Sequence, residues 1–106
     1  MATFKNATVA IPDANTSFST VYTAPGMAVI HAMYISNNSI GGNAEVTLEV
    51  VDDSAGFDIP ILDRVPIRAN TTLVLEKPIN LETGDSIQIK SATGVAITAF
   101  ASVMEV

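Results

Sequence analysis

The chain has 106 residues and a formal net charge of −6, with 48% hydrophobic and 15% charged residues, no cysteine, no tryptophan and one histidine. That length is one domain, which buries roughly two-thirds of its unfolded surface without disulfides. Side chains that activate nucleophiles, shuttle protons or hold transition metals are scarce, so neither catalysis nor a cofactor or metal is expected. The acidic balance opposes phosphate contacts, so no nucleic acid is expected as a partner.

From the N-terminus, Thr3 to Ile11 reads as a strand and stops at the turn cluster Pro12-Asp13-Ala14-Asn15. Residues 1–15 are therefore expected as an N-terminal strand or arm, and 16–106 as a single β-sandwich domain. Phe18 to Thr23 follows and ends at Ala24-Pro25-Gly26. Met27 to Ser36 is the most continuously apolar run, with Met27, Val29, His31, Met33 and Ile35 on one face and Ala28, Ile30, Ala32 and Tyr34 on the other. A strand apolar on both faces lies centrally in a sandwich or is covered by a neighbouring subunit.

The loop Asn37-Asn38-Ser39-Ile40-Gly41-Gly42-Asn43 leads into Ala44 to Val51 as a hairpin would. In that strand Val46, Leu48 and Val50 alternate with Glu45, Thr47 and Glu49, as one wet face requires. Phe57 to Arg68 holds Pro60 and Pro66, each lacking a ladder donor, and reads as a loop entering an edge strand near Leu62 to Ile67. Thr71 to Glu76 is a short strand. The segment from Lys77 to Leu81 bends into Glu82-Thr83-Gly84-Asp85, a turn in which Gly84 supplies positive φ. Ser86 to Ser91 and Val95 to Val106 close the chain as a final hairpin.

The sum is an all-β fold, a two-sheet antiparallel sandwich of about eight short strands with jelly-roll or Ig-like character; a small closed barrel is the alternative. Val29, Val46, Leu48, Ile87, Ile89 and Val103 are its expected core, and the aromatic side chains fall mostly at inward positions. No run approaches a membrane span and no signal peptide opens the chain, so no membrane contact is expected.

The candidate sites are few. His31 could transfer protons only with Glu45 or Glu49 opposite it in register, and packing at the core edge or a subunit contact is the expectation. Asp52, Asp53, Asp58 and Asp63 lack the spacing of a calcium loop and read as a solvated acidic rim. Glu82 and Asp85 form a carboxylate pair within a single turn, without an aromatic platform for sugar. Arg64 and Arg68 share a strand face with Pro66 and could pair with the Asp52/Asp53 loop or across a subunit interface, with plain surface solvation the equal alternative. The sequence therefore offers no catalytic, cofactor-binding or metal-binding residue. The low charged fraction, below the usual value of about 25%, leaves apolar surface for a partner chain, and a homo-oligomer provides one.

Four stretches, Val21-Tyr22-Thr23-Ala24-Pro25-Gly26, Ser36-Asn37-Asn38, Ala44 to Asp52 and Leu81-Glu82-Thr83-Gly84-Asp85-Ser86-Ile87, resemble those of small tailed-bacteriophage virion structural proteins, over residues 18 to 105. The resemblance implies a β-sandwich deployed in many copies on a particle, and it implies no catalytic residue. Short length and the lack of any fibrous repeat favour a capsid decoration (cement) protein on the outer surface. It would be made in the host cytoplasm, assembled as a homotrimer, and partnered by the major capsid protein or other virion proteins. The alternatives are a tail, neck or fibre component, or a glycan-binding attachment module.

Overall fold

The computed structural model describes residues 2–106. Nine antiparallel strands form it: β1 (Thr3–Ile11), β2 (Ser19–Thr23), β3 (Ala28–Asn37), β4 (Ala44–Asp52), β5 (Phe57–Ile67), β6 (Thr71–Leu75), β7 (Ile79–Leu81), β8 (Ser86–Ser91) and β9 (Ile97–Glu105). One sheet runs β1-β9-β3-β6, with β7 also paired to β3, and the other runs β2-β8-β4-β5. The pairs β1·β9, β2·β8, β3·β6/β7 and β4·β5 nest first strand with last, and the contacts β9·β3 and β8·β4 close the wound ribbon into two sheets. That winding is a jelly roll, which decides between the two sandwich types expected. A ninth strand arises because the one opposite β3 is interrupted at Pro78, leaving β6 beside Met33 to Asn37 and β7 beside Ala28 to Ile30.

The core is aliphatic. Val46, Leu48, Ile87 and Ile89 from the four-stranded sheet meet Ile30, Met33, Ile35, Ala101 and Val103 from the five-stranded sheet, all essentially without exposure. Period-two alternation places them there, and the alanines of β9 let the two sheets approach closely. Val29, expected in this core, is only half-buried on the outer face. Its phase differs because Ile30 pairs with Val103 and Ala32 with Ser102, so His31 is an extra, bulged residue that switches the alternation within β3.

Several connections differ from the expected hairpins. Residues 38–43 carry the chain from β3 in one sheet to β4 in the other, and residues 92–96 do the same between β8 and β9. Phe57 to Ile67 is not a loop entering an edge strand but one eleven-residue edge strand, in which Pro60 lies opposite Glu49 and Pro66 opposite Glu45. An edge strand tolerates both, because a proline nitrogen on the solvent side removes no ladder bond. Ile79 to Leu81, expected as a bend, pairs with β3. The N-terminal segment lies as the edge strand β1, in register with β9 from Thr3↔Glu105 to Ile11↔Ile97.

Three local networks hold the ends of the sandwich. Asn37, fully buried at the end of β3, donates to the carbonyls of Gly42 (2.8 Å) and Ile67 (2.9 Å) while its side-chain oxygen accepts from the backbone N–H (3.0 Å) and hydroxyl (2.7 Å) of Ser39. At the opposite end Asp85, also buried, accepts from the backbone N–H of Asp53 (3.0 Å) and of Glu82 (2.9 Å). Between the sheets, the Tyr22 hydroxyl of β2 donates to Glu105 of β9, which also pairs with Lys5 of β1 at 3.2 Å.

Candidate functional site

The two outer faces of the sandwich differ in kind. On the four-stranded sheet, Thr47 stands beside Lys90 and Glu49 beside Gln88, and Gln88 donates to Glu49 at 3.0 Å. Glu45 on the same face is paired with Arg64, and the Lys90 ammonium lies 4.7 Å from the Phe18 ring. This is an ordinary solvated face, sewn by polar and charged side chains.

The five-stranded sheet presents no carboxylate, ammonium or guanidinium among its described outward positions. Across β1 and β9 the outward pairs are Phe4 with Met104, Asn6 with Ser102, Thr8 with Phe100 and Ala10 with Thr98. Across β9 and β3 they are Met104 with Val29, Ser102 with Ala32, Phe100 with Tyr34 and Thr98 with Ser36; Val74 and Thr72 of β6 extend the rows. The only charged residues in these strands besides His31, Lys5 and Glu105, sit on the inner side, opposite buried Val103 and Ala28 respectively. Exposed aromatics gather here: Phe4 stacks on His31 with ring centroids 6.0 Å apart, and Tyr34 meets Phe100 at the same separation, tilted by 52°.

The expectation that aromatic residues point mostly inward is overturned. None of the six belongs to the buried core, and Phe4, Tyr34, Phe57 and Phe100 are exposed, Phe4 by 72%. Exposed aromatics and a sheet face without charge are the composition of an interface centre rather than of a wet surface.

A second apolar exposure lies along the edge strand β5, where Phe57, Ile59 and Ile61 are exposed. Ile61, Leu62, Val74, Leu75 and Ile79 line an open cleft of about 590 Å³ beside it.

The titratable candidates fall into structural settings. His31 is exposed on the bulge of β3, and Glu45 and Glu49 lie on β4 in the other sheet, so no acid stands opposite it in register. Asp52, Glu82 and Asp85 each place a carboxylate oxygen within 4.8 Å of the others, while Asp58 lies on β5 opposite Val51 and Asp63 further along the same strand. The rim expected at residues 52–63 is therefore divided, and half of it joins the turn at residues 82–85. Both Asp85 oxygens and one of Asp52 are engaged by loop donors, the latter from Ser54 and Ala55, so the cluster braces two turns. Arg64, at φ 53°, pairs with Glu45 rather than with the Asp52/Asp53 loop, and its N–H donates to the Thr47 hydroxyl at 3.2 Å. Arg68 lies past the end of β5, and its carbonyl accepts from Thr71.

No protein-family model matches the chain, and no curated protein is similar to it at a significant level. Among solved structures it is similar to the Drosophila NLP core, described for pentamer formation and histone binding, at 14% identity and TM-score 0.54 over 97% of this chain and 95% of that one. It is also similar to a protein of the Bacillus endospore appendages, described as disulfide-linked pili, at 12% identity and TM-score 0.52 over 98% and 88% of the two chains. A pentameric capsid protein isolated from metagenomic phage sequences is similar at 13% identity and TM-score 0.47 over 94% and 60%. At these identities the likeness is one of fold: a two-sheet sandwich shared with the NLP-core and appendage structures.

Proposed function

We propose that the chain is a bacteriophage virion structural protein, a capsid decoration protein that reinforces the outer surface of the shell as a homo-oligomer and performs no catalysis. The observation that carries this reading is the contrast between a charged outer sheet and an uncharged one bearing Phe4, Tyr34 and Phe100. An acidic protein that keeps one broad face free of charge is built to bury that face against protein. The resemblance of residues 18 to 105 to small phage virion proteins supplies the setting, and the jelly roll is a fold that recurs in capsids. Fold alone does not define role, since lectins share it.

The experiment is a copy count. Purified protein is added to shells that lack it, and bound copies are counted by cryo-microscopy. Many symmetric copies on the capsid exterior are expected; a few copies confined to the tail or neck, or none, would contradict the decoration role.

Exposed aromatics favour one other reading, a glycan-binding attachment module. The 52° tilt between Tyr34 and Phe100 denies a sugar a flat two-ring platform. A glycan array separates the two, since a decoration protein binds none of its sugars.

A further inference from the structure

We propose that the outer face of the β1-β9-β3-β6 sheet seats a second copy of this chain, packed sheet on sheet about a twofold axis. The inference deepens the structural-assembly reading and rests on it. Three independent observations select this occupant.

The first is charge. With a net charge of −6, two copies that met through the Asp52/Glu82/Asp85 end would set carboxylates against carboxylates, and two that met through the four-stranded face would bury Glu45, Glu49, Arg64 and Lys90 at a desolvation cost. The five-stranded face carries none to oppose.

The second is the state of the sheet edges. A copy could also add by strand pairing, yet every edge carries a device against it. Pro60 and Pro66 lie in β5, Pro78 breaks the β6/β7 edge, β2 is five residues long and shifts register between Thr20 and Tyr22, and β1 points Lys5 to its inner side. Association is thereby directed to a face.

The third is area. Four strands abreast at ~4.8 Å and nine residues at ~3.3 Å give a face of roughly 19 by 30 Å. Two such faces remove on the order of 1,100 Å² from water, above the threshold of about 1,000 Å² for a specific contact. Twisted sheets pack in this way at about −30°, ~10 Å apart, with Tyr34 and Phe100 at the centre of the contact.

The test is sedimentation equilibrium of the full chain over about 1–100 µM, a range that brackets typical micromolar self-association. Four variants accompany it: Phe100→Glu, Tyr34→Glu, the exposed-threonine change Thr8→Glu, and Gln88→Glu, which adds the same charge to the opposite sheet. The wild type and Gln88→Glu are expected to sediment as dimers, and the three face variants at least about tenfold more weakly, with melting curves showing that each remains folded. Thr8→Glu keeps the test decisive if an aromatic replacement unfolds, since Thr8 is exposed on the edge strand β1. A wild-type monomer throughout, a trimer, or a dimer indifferent to Thr8→Glu and Phe100→Glu would overturn the proposal. A monomer that still coats shells in the copy count overturns only the twofold contact; a dimer that never binds a shell overturns only the virion role.

Discussion

Tyr34 of β3 lies directly opposite Phe100 of β9, the two rings 6.0 Å apart on the outside of the five-stranded sheet. Both strands are inner members of that sheet, so each ring is held by neighbours on either side yet open to solvent above. A cross-strand aromatic pair contributes only ~0.5–1.5 kcal/mol beyond its burial. Phe100→Thr should accordingly lower the unfolding free energy by under ~1.5 kcal/mol, a partly exposed position giving far less than a core truncation. Urea denaturation at a concentration low enough to exclude association checks it.

Leu48 is fully buried between the sheets, whereas Val29 stands half-buried on the outer face. Leu48→Ala should cost about 2–5 kcal/mol, the range for deleting a packed side chain with its cavity. Val29→Ala should cost less than ~1 kcal/mol, as a partly exposed site without a special contact does. Equal losses would mean that the bulge at His31 does not switch the phase of β3.

Gly84 has φ +90°, and a Cβ there would lie 3.0 Å from a side-chain oxygen of Asp53. Gly84→Ala should destabilise by at least ~1 kcal/mol through the left-handed backbone alone, with the crowding of Asp53 in addition. Asp85→Ala is expected to cost about 1–3 kcal/mol, because it strands the N–H groups of Asp53 and Glu82 without their acceptor. Thermal melts of the two variants, read beside Asp53→Ala, separate backbone strain from lost hydrogen bonds.

The Tyr22–Glu105–Lys5 clasp makes stability depend on pH at both extremes. The Tyr22 hydrogen bond, with Lys5 in support, holds the Glu105 carboxyl below the usual carboxylate range. That contribution is present above the unfolded carboxyl pKa and is lost as pH falls through the lower folded value. Burial, then the bond and charge of Glu105, push Tyr22 up to about 12. The folded state therefore keeps a proton that the unfolded phenol releases near its ordinary pKa of about 10, and stability falls from there as pH rises through about 12. Tyr22→Phe should abolish the alkaline loss and blunt the acid one, measured as urea midpoints against pH.

Alternation along β4, β8 and β9 was enough to place Val46, Leu48, Ile87, Ile89 and Val103 in the core, because a pleat fixes which face a side chain takes. It says nothing of which strands are neighbours. For that reason Asn37 to Asn43 and Ala92 to Gly94, chemically good turns, read as hairpins although each crosses between sheets. A single bulged residue, His31, left no mark in composition and reversed the phase at Val29. Pro60 and Pro66 read as breakers because proline's penalty depends on which side of the strand faces a partner, a matter of tertiary position. The outer site was partly legible: a strand apolar on both faces, Met27 to Ser36, read either as central in the sandwich or as covered on its second face by a neighbouring subunit, and β3 is central in its sheet. That Phe4 and Phe100 join it needed the pairing of β1 with β9 and of β9 with β3.

Assembly should bury the uncharged face of the five-stranded sheet. Hydroxyl-radical footprinting of the full chain, dilute and concentrated, reads this from its own side chains, with Phe18 on the opposite sheet as the internal reference. Protection of Tyr34, Phe100 and Met104 with concentration, while Phe18 stays constant, is the predicted result. Labelling of Tyr34 and Phe100 that remains unchanged in an assembled sample would contradict it.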